Sequence, residues 1–263
     1  MRLYDAHNHL QDERFTDRVR IVAEAASVGV GRMVVNGACE QDWPLVHQLA
    51  EQFPQVLPSF GYHPWHLQER TPDWQRTLIS LLDATPSVVG EIGLDRWKPD
   101  LPYDGQEQAF IWQLRLAAAR NVAASIHCLQ AWGRMLELLS ENPRPAGGFL
   151  LHSYGGSREM VQPLTKLGAY FSFPGYFMHE RKTRQREAFA AVPLDRLLIE
   201  TDAPDQLLPE SENRFPLPAS DGKPINHPAN LAAVYEFMAR QRGMGLDEFS
   251  GQVEENFRCL FNG

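Results

Sequence analysis

Cysteine is scarce in this chain of 263 residues, and its few cysteines fit neither a disulfide framework nor a thiolate metal site. Cys39, Cys128 and Cys259 are odd in number and widely separated, and the chain contains no Cys-x-x-Cys. Disulfide domains and cysteine zinc sites both depend on paired or closely spaced cysteines. We therefore expect ordinary reduced cysteines in the protein core.

Long apolar runs and an excess of positive charge are missing as well. No segment approaches the ~20 apolar residues of a membrane span, and Met1-Arg2 leads directly into the strand-like Leu3-Tyr4. The net charge of −8 argues against broad adhesion to nucleic acid, because that affinity comes from clustered Lys and Arg. A nucleic-acid substrate stays compatible, since an enzyme can hold one or two phosphates through metal ions. We expect a cytoplasmic monomer without membrane contact.

Short β-rich apolar segments alternate with longer helical ones, which is typical of parallel strands joined by helical crossovers. Eight such segments favour a closed barrel over an open doubly wound sheet, and no Gly-x-Gly-x-x-Gly follows the first of them. We predict an α/β fold with a single TIM (β/α)8 barrel domain over residues 1–263. The predicted strands cover residues 3–7, 32–37, 56–62, 87–92, 123–128, 148–152, 169–173 and 196–201.

Helical segments are predicted over residues 12–27, 43–52, 73–84 and 106–120 from their apolar periodicity. After the eighth strand, residues 203–228 are rich in proline and polar side chains and are long for a plain connection. They predict a functional loop at the barrel mouth, with a floppy surface insertion as the alternative. Two amphipathic helices, over 229–242 and 246–261, are expected to close the chain.

Metal-ligating residue types stand at the ends of five predicted strands. His7 and His9 share one face of the first strand, because side chains two apart in a strand point the same way. Glu91 follows the apolar Val88-Val89 pair, where a buried carboxylate would need a cation. The carboxyl ends of barrel strands converge at one mouth, so we predict one or two ions of Zn²⁺, Mn²⁺ or hydrated Mg²⁺ there. The candidate ligands are His7, His9, Glu91, His127, His152 and Asp202.

A lone strand-end histidine is more often a satisfied core or rim residue than a metal ligand. It is the joint placement that favours a metal centre, because each of these side chains would otherwise be a buried polar group in need of its own partner.

Around these residues the chain carries an ordered set of motifs: His7-x-His9, Gly61-Tyr62-His63-Pro64, Gly90-Glu91-Ile92-Gly93-Leu94-Asp95, His127, His152 and Glu200-Thr201-Asp202-Ala203-Pro204. This set, which spans nearly the whole chain, resembles the TatD-type hydrolases, which are metal-dependent phosphodiesterases or DNases of the amidohydrolase superfamily.

The resemblance implies a binuclear centre with two divalent ions bridged by Glu91. One ion would be bound by His7, His9 and Asp202, and the other by His127 and His152. Asp202 would also act as the catalytic base. His63 and Glu200 would lie near the substrate, although His63 precedes Pro64 and could be a simple loop residue.

Three positions depart from the family pattern. Leu129 stands two residues after the strand-five histidine, where an arginine is usual. Gly155 replaces a common serine, and His227 takes a position that is more often charged. These changes leave the predicted ligands intact and bear on the substrate.

Further histidines and aromatics lack a supporting motif. His47, His66 and His179 are expected at the surface or rim. Trp65, Trp97 and Tyr176 fall near predicted strand-to-helix loops, where they could stack a base or sugar or simply cover the rim.

Metal-assisted hydrolysis of a phosphodiester, with nucleic acid as a substrate, is the leading hypothesis. Hydrolysis of a carboxylic ester or amide is the second, because Leu129 removes a cationic contact to phosphate. A non-catalytic barrel is the third, and the complete ligand set speaks against it.

Overall fold

The computed structural model describes residues 1–98 and 101–261. Within them, eight parallel strands pair in the order of the sequence, which confirms the predicted barrel. The strands are β1 (Leu3–Asn8), β2 (Val30–Asn36), β3 (Val56–Phe60), β4 (Val88–Asp95), β5 (Ala124–Leu129), β6 (Phe149–Leu151), β7 (Ala169–Pro174) and β8 (Leu197–Glu200).

The barrel closes where the end of β8 meets β1. The backbone N–H of Asp202 donates to the carbonyl of His7 at 2.9 Å, and the N–H of His9 donates to the carbonyl of Ala203 at 2.7 Å. The buried carboxylate of Asp5 accepts from both the N–H and the hydroxyl of Thr201. This seam brings the first and last predicted metal ligands together.

Nine α-helices lie within the described ranges, and they surround the strands. Three of them, α5 to α7, were not predicted. The helices are α1 (Arg18–Ser27), α2 (Trp43–Gln52), α3 (Trp74–Ala84), α4 (Tyr103–Arg120), α5 (Trp132–Glu141), α6 (Arg158–Lys166), α7 (Thr183–Ala190), α8 (Leu231–Arg242) and α9 (Leu246–Phe261).

The predicted start of the first helix at residue 12 is wrong. The side chain of Asp17 accepts from the N–H of Arg20 at 3.0 Å and caps α1 at its N-terminus. The residues before it instead form a turn in which Asp12 accepts from the backbone and guanidinium of Arg14. The guanidinium of Arg14 also pairs with Asp205, which ties this turn to the loop after β8.

Glycine at position 93 is required by the close approach of β4 and β5. Its φ is +152°, and a Cβ there would lie 1.9 Å from the carbonyl oxygen of His127. The glycine therefore allows the strand that carries Glu91 to lie directly against the strand that carries His127.

Residues 203–228 fold against the barrel, so the alternative of a floppy insertion is wrong. A two-stranded ribbon pairs Leu217–Pro218 with Pro224–Ile225. The side chain of Asn230 accepts from the N–H groups of Arg214 and Phe215, while Asn226 donates to the carbonyl of Thr201.

Two smaller expectations can also be compared with the fold. Cys39 and Cys128 are buried and free, but Cys259 is exposed on the outer face of α9, so its predicted place in the core is wrong. Among the helices of the described residues, none is both long and apolar enough to cross a membrane.

Candidate metal centre

The carboxylate of Glu91 lies at the centre of the barrel mouth, and its two oxygens face different groups of side chains. Oε2 lies 3.4 Å from His7 Nε2 and 3.3 Å from His9 Nε2. Asp202 Oδ1 lies 3.6 and 3.5 Å from the same two nitrogens. His7, His9 and Asp202 therefore form a first group around one oxygen of Glu91.

A second group surrounds the other oxygen. Glu91 Oε1 lies 2.8 Å from His152 Nε2 and 3.1 Å from His127 Nδ1, and these two ring nitrogens are 3.2 Å apart. The structure thus brings all six sequence-predicted ligands together, with Glu91 between the two groups.

Outer hydrogen bonds determine which ring nitrogens can bind a cation. His9 Nδ1 lies 2.8 Å from the carbonyl oxygen of Asn36, so Nδ1 carries the proton and Nε2 presents a lone pair to Glu91. His127 Nε2 lies 3.0 Å from Asp95 Oδ2, so its Nδ1 likewise presents a lone pair. Each ring is oriented as a metal-ligating histidine would be.

This donor set fits divalent cations. A lone pair on His9 or His127 that faces a carboxylate oxygen is repelled unless a cation lies between them. In the metal-free chain a proton on the imidazole ring takes the place of the cation. The carboxylates of Asp202 and Glu91 outweigh the effect of burial and hold the pKa of His9 well above its usual value. Despite burial, hydrogen bonds to Asp95 and Glu91 likewise raise the pKa of His127 to about 9. Imidazole and carboxylate ligands suit Zn²⁺ and Mn²⁺.

Two carboxylates two residues apart have opposite pKa shifts. Burial raises the pKa of Glu200 to about 8, although nearby His152 acts against it. Burial also disfavours ionised Asp202, but hydrogen bonding to His9 and the charges of neighbouring histidines lower its pKa to about 2. The surroundings of the site therefore give the two carboxyl groups different proton affinities.

His63 enters the same site as a hydrogen-bond donor. Its Nδ1 accepts from the N–H of Trp65 at 3.2 Å and so caps a 3-10 turn over Pro64–Glu69. The proton is then on Nε2, which lies 3.4 Å from Glu91 Oε1. The position of His63 therefore does not support the alternative in which it is a loop residue unrelated to the site.

Glu200 lies behind the second group rather than among the ligands. Its Oε1 accepts from the N–H of Ser153 at 2.7 Å and from the hydroxyl of that serine, while Ser172 donates to Oε2. His152 Nδ1 is 3.9 Å from the same carboxylate. Glu200 can therefore orient side chains of the site.

The three departures from the family pattern occupy different environments. Leu129 is 36% exposed at the end of β5, and Gly155 is exposed in the turn after β6. His227 is buried away from the metal centre, where its Nδ1 accepts from the N–H of Ala229 and its Nε2 lies 3.0 Å from Glu24 Oε2. Its role in this fold is structural.

The other histidines lie outside the two groups, as predicted. His47 contacts Thr85 and Glu51, His66 lies 3.6 Å from Glu69, and His179 contacts the carbonyl of Leu207.

Asp95 and Gln206 are among the side chains that support the site but received no role from the sequence. Asp95, whose carboxylate contacts His127, stands in the Gly-Glu-Ile-Gly-Leu-Asp motif, so a signal was present. Gln206 donates to Asp202 Oδ2 at 2.9 Å and to the hydroxyl of Ser153 at 2.6 Å. Gln206 lies in the long loop after β8, and no motif distinguishes it.

Comparison with known proteins places these features in a family context. The family model described as TatD related DNase matches residues 4–262. The chain is 32% identical to the "3'-5' ssDNA/RNA exonuclease TatD" of Escherichia coli (strain K12), over 98% of each chain. It is 28% identical to the "uncharacterized metal-dependent hydrolase YjjV" of the same organism, over 99% of this chain and 98% of that one.

Solved structures agree with the barrel. The crystal structure of the TatD homologue YjjV from Escherichia coli K12 has a TM-score of 0.90 at 26% identity, and the match covers 99% of this chain and 98% of that chain. A TatD-family hydrolase from Entamoeba histolytica, at 17% identity and a TM-score of 0.86, shares the fold over 100% of this chain and 99% of its own.

Proposed function

Because this chain belongs to the TatD-related DNase family of metal-dependent hydrolases, we propose that it is a 3'-5' exonuclease of single-stranded nucleic acid with a binuclear metal centre. The substrate class and the polarity come from the names of its relatives. The two-ion arrangement is implied by the family resemblance, and the geometry of the site supports it.

The observation that carries the proposal is the position of Glu91 between two groups of ligands. Each of its oxygens faces at least two imidazole nitrogens, at distances of 2.8 to 3.4 Å. A carboxylate in this position can bridge two cations, each of which would also receive two histidines. We assign His7, His9 and Asp202 to one ion and His127 and His152 to the other.

The bound ions would lower the pKa of a water and offset charge on the phosphoryl oxygens. Asp202 would accept the proton from that water. The low pKa of Asp202 keeps the carboxylate ionised at neutral pH. Gln206 donates a hydrogen bond to Oδ2, while Oδ1 faces His7 and His9. The side chain is therefore held in one orientation for proton transfer.

His63 and Glu200 would act around the substrate. The Nε2–H of His63 points into the site and can donate to a phosphoryl oxygen. Glu200, with its raised pKa, would hold Ser153 beside Gln206 and so support the orientation of Asp202.

Hydrolysis of a carboxylic ester or amide is the second candidate. It is favoured by Leu129, which gives the rim an apolar side chain beside the metal centre. The same metal chemistry can attack a carbonyl group.

We also propose that residues 1–263 act as one domain and that the protein is a cytoplasmic monomer.

Asp202→Asn tests the mechanism. We expect kcat to fall about 10²- to 10⁴-fold, which is the usual contribution of a general base. The assay follows a 5'-labelled single-stranded oligonucleotide, because removal of nucleotides from the 3' end yields a ladder of shortening products. A simple phosphodiester and a carboxylic ester are measured in parallel, each with and without Mg²⁺, Mn²⁺ or Zn²⁺.

Asp205→Asn is the matched control. Its side chain is exposed and pairs with Arg14 outside the centre, so we expect activity within about twofold of the unaltered protein. Full activity of Asp202→Asn would refute the role of Asp202 as the residue that accepts the proton from water. Turnover of the carboxylic ester alone would replace the exonuclease with the second candidate.

A further inference from the structure

Asp95 links the metal centre to an exposed part of the rim. Its Oδ2 contacts His127 Nε2 at 3.0 Å and accepts from Trp65 Nε1 at 2.7 Å. Its Oδ1 accepts from the backbone N–H groups of Trp97 at 2.7 Å and Lys98 at 3.3 Å. One buried carboxylate therefore fixes both a ligand of the second group and the segment that follows β4.

Trp65, Trp97 and Lys98 form what we call the tryptophan rim. The centroid of the Trp65 ring lies 6.4 Å from that of His127 and 6.4 Å from that of Trp97. Lys98 Nζ lies 3.6 Å from the centroid of the Trp65 ring. Trp97 is 56% exposed, so a face of its indole is accessible from solvent.

We propose that the tryptophan rim is a nucleotide subsite in which Trp97 stacks on a nucleobase and Lys98 binds a phosphate of the same strand. This inference rests on the proposed function, and it assigns the substrate a direction across the barrel mouth. The strand would extend from the metal centre past His127 towards the end of β4.

Charge and exposure both match a nucleic-acid strand. The ammonium group of Lys98 lies over the face of Trp65, and Trp97 beside it is exposed, so a cation and an accessible aromatic side chain occur together at the rim. An aromatic side chain with an adjacent cation is the usual means of binding single strands, because every base has a face that can stack.

The neighbouring strand end adds no competing negative charge. Leu129 pairs with Asp95 in the β4–β5 register, and its carbonyl accepts from the N–H of Arg96. The guanidinium of Arg96 lies 3.8 Å from the centroid of the Tyr103 ring. The positive charge on this side of the mouth is thus supplied by the segment after β4.

Tyr176, the other aromatic candidate, is less suited to stacking. Its hydroxyl accepts from Arg181, and Lys182 Nζ lies 4.4 Å from its ring centroid. These side chains already cover the ring.

The experiment measures binding by the metal-loaded protein. A fluorescent thymidine pentamer with phosphorothioate linkages, which resist cleavage, is titrated by anisotropy beside a pentamer of abasic units. We expect Trp97→Ala to weaken binding of the thymidine strand about tenfold, in the range measured for loss of one base stack. Trp97→Phe should restore most of the affinity, and the loss in Trp97→Ala should fall below about twofold with the abasic strand.

Variants of Lys98 test the proposed phosphate contact separately from the stacking of Trp97 on a base. Lys98→Gln should weaken binding of both strands and reduce its salt dependence, because the lysine would contact the phosphate and not the base. Lys166→Gln is the matched control, since it removes an exposed lysine at the far end of α6. It should bind both strands as the unaltered protein does.

The outcomes distinguish this proposal from the exonuclease itself. Thymidine binding that is unchanged in Trp97→Ala, or that falls equally for the abasic strand, would refute the subsite even if the enzyme cleaves oligonucleotides. Base-dependent binding of the phosphorothioate strand, together with no cleavage of the 5'-labelled oligonucleotide in the activity assay, would support the subsite and refute the exonuclease. Absence of binding by the unaltered protein would refute the subsite alone, because the activity assay tests the exonuclease independently.

Discussion

Asp95→Asn should weaken metal binding and lower stability together, because one buried side chain supports both. The carboxylate accepts from four N–H groups, two at each oxygen. An asparagine offers a single oxygen, so its own amide N–H₂ must face two of the four donors. The variant is therefore expected to lose at least two hydrogen bonds to a charged acceptor.

The magnitude follows from those bonds. A hydrogen bond to a charged group contributes ~1.5–3 kcal/mol, so the free energy of unfolding should fall by about 3 kcal/mol or more. For a protein of this size that corresponds to a Tm lower by about 6 to 12 °C. His127 loses the partner that fixes its tautomer, and loss of such a partner typically weakens metal affinity about 10- to 100-fold.

Calorimetric titration of the metal and thermal unfolding test this prediction. Asp83→Asn is the matched control, because Asp83 is exposed on α3 and pairs with Arg120 at the surface, away from the metal centre. Its metal affinity and Tm should stay near those of the unaltered protein. If Asp95→Asn binds the ions as tightly as the control and unfolds at the same temperature, the argument from these four bonds is wrong.

Two further predictions concern protons and metal. The raised pKa of Glu200, about 8 against 4.5, means that its contribution to stability is fully present below pH 4.5 and is lost as the pH rises through 8. In metal-free protein, Glu200→Gln should therefore gain Tm over the unaltered protein between pH 5 and pH 9, and a constant difference would contradict this pKa. Chelation of the metal should abolish hydrolysis and lower the Tm by about 8 to 16 °C. Ions present at 1,000 times their Kd stabilise the folded state by ~4 kcal/mol, which corresponds to that shift in a protein of this size. Addition of fresh metal should restore both the activity and the Tm. An unchanged Tm after complete metal removal would show that no ion stabilises the folded chain.

The barrel and the convergence of the candidate ligands at its mouth could be predicted because their signals are local. The apolar segments that form the strands are bounded by turns, and each ligand lies within or next to a strand end. The start of α1 was harder, because its cap at Asp17 depends on a side chain that folds back on the backbone. Helices α5 to α7 are short and have no side-chain cap at all, so their sequences carry a weaker signal. Cys259 was misplaced because residue type alone does not show which face of α9 is exposed.

The outer contacts of the site could not be predicted in the same way. Ser125 lies 2.9 Å from His7 Nδ1, and Ser172 donates to Glu200, yet in the sequence both are small polar residues within apolar strands. Their partners come from other strands, so only the register of the barrel shows the contacts. Asp95 differs, because its motif marks it while its four partners lie on three separate segments.

The position of Asp95 also connects the candidate metal centre with the tryptophan rim. It fixes the tautomer of His127 through one oxygen and the backbone of Trp97 and Lys98 through the other. A strand bound at the tryptophan rim would stabilise the same arrangement of Asp95 that presents the lone pair of His127 to a cation. Linkage then requires the converse, so bound metal should increase affinity for the strand beyond the direct contact between ion and phosphate. If Asp95 couples the two, this additional increase should be smaller in Asp95→Asn than in Asp83→Asn.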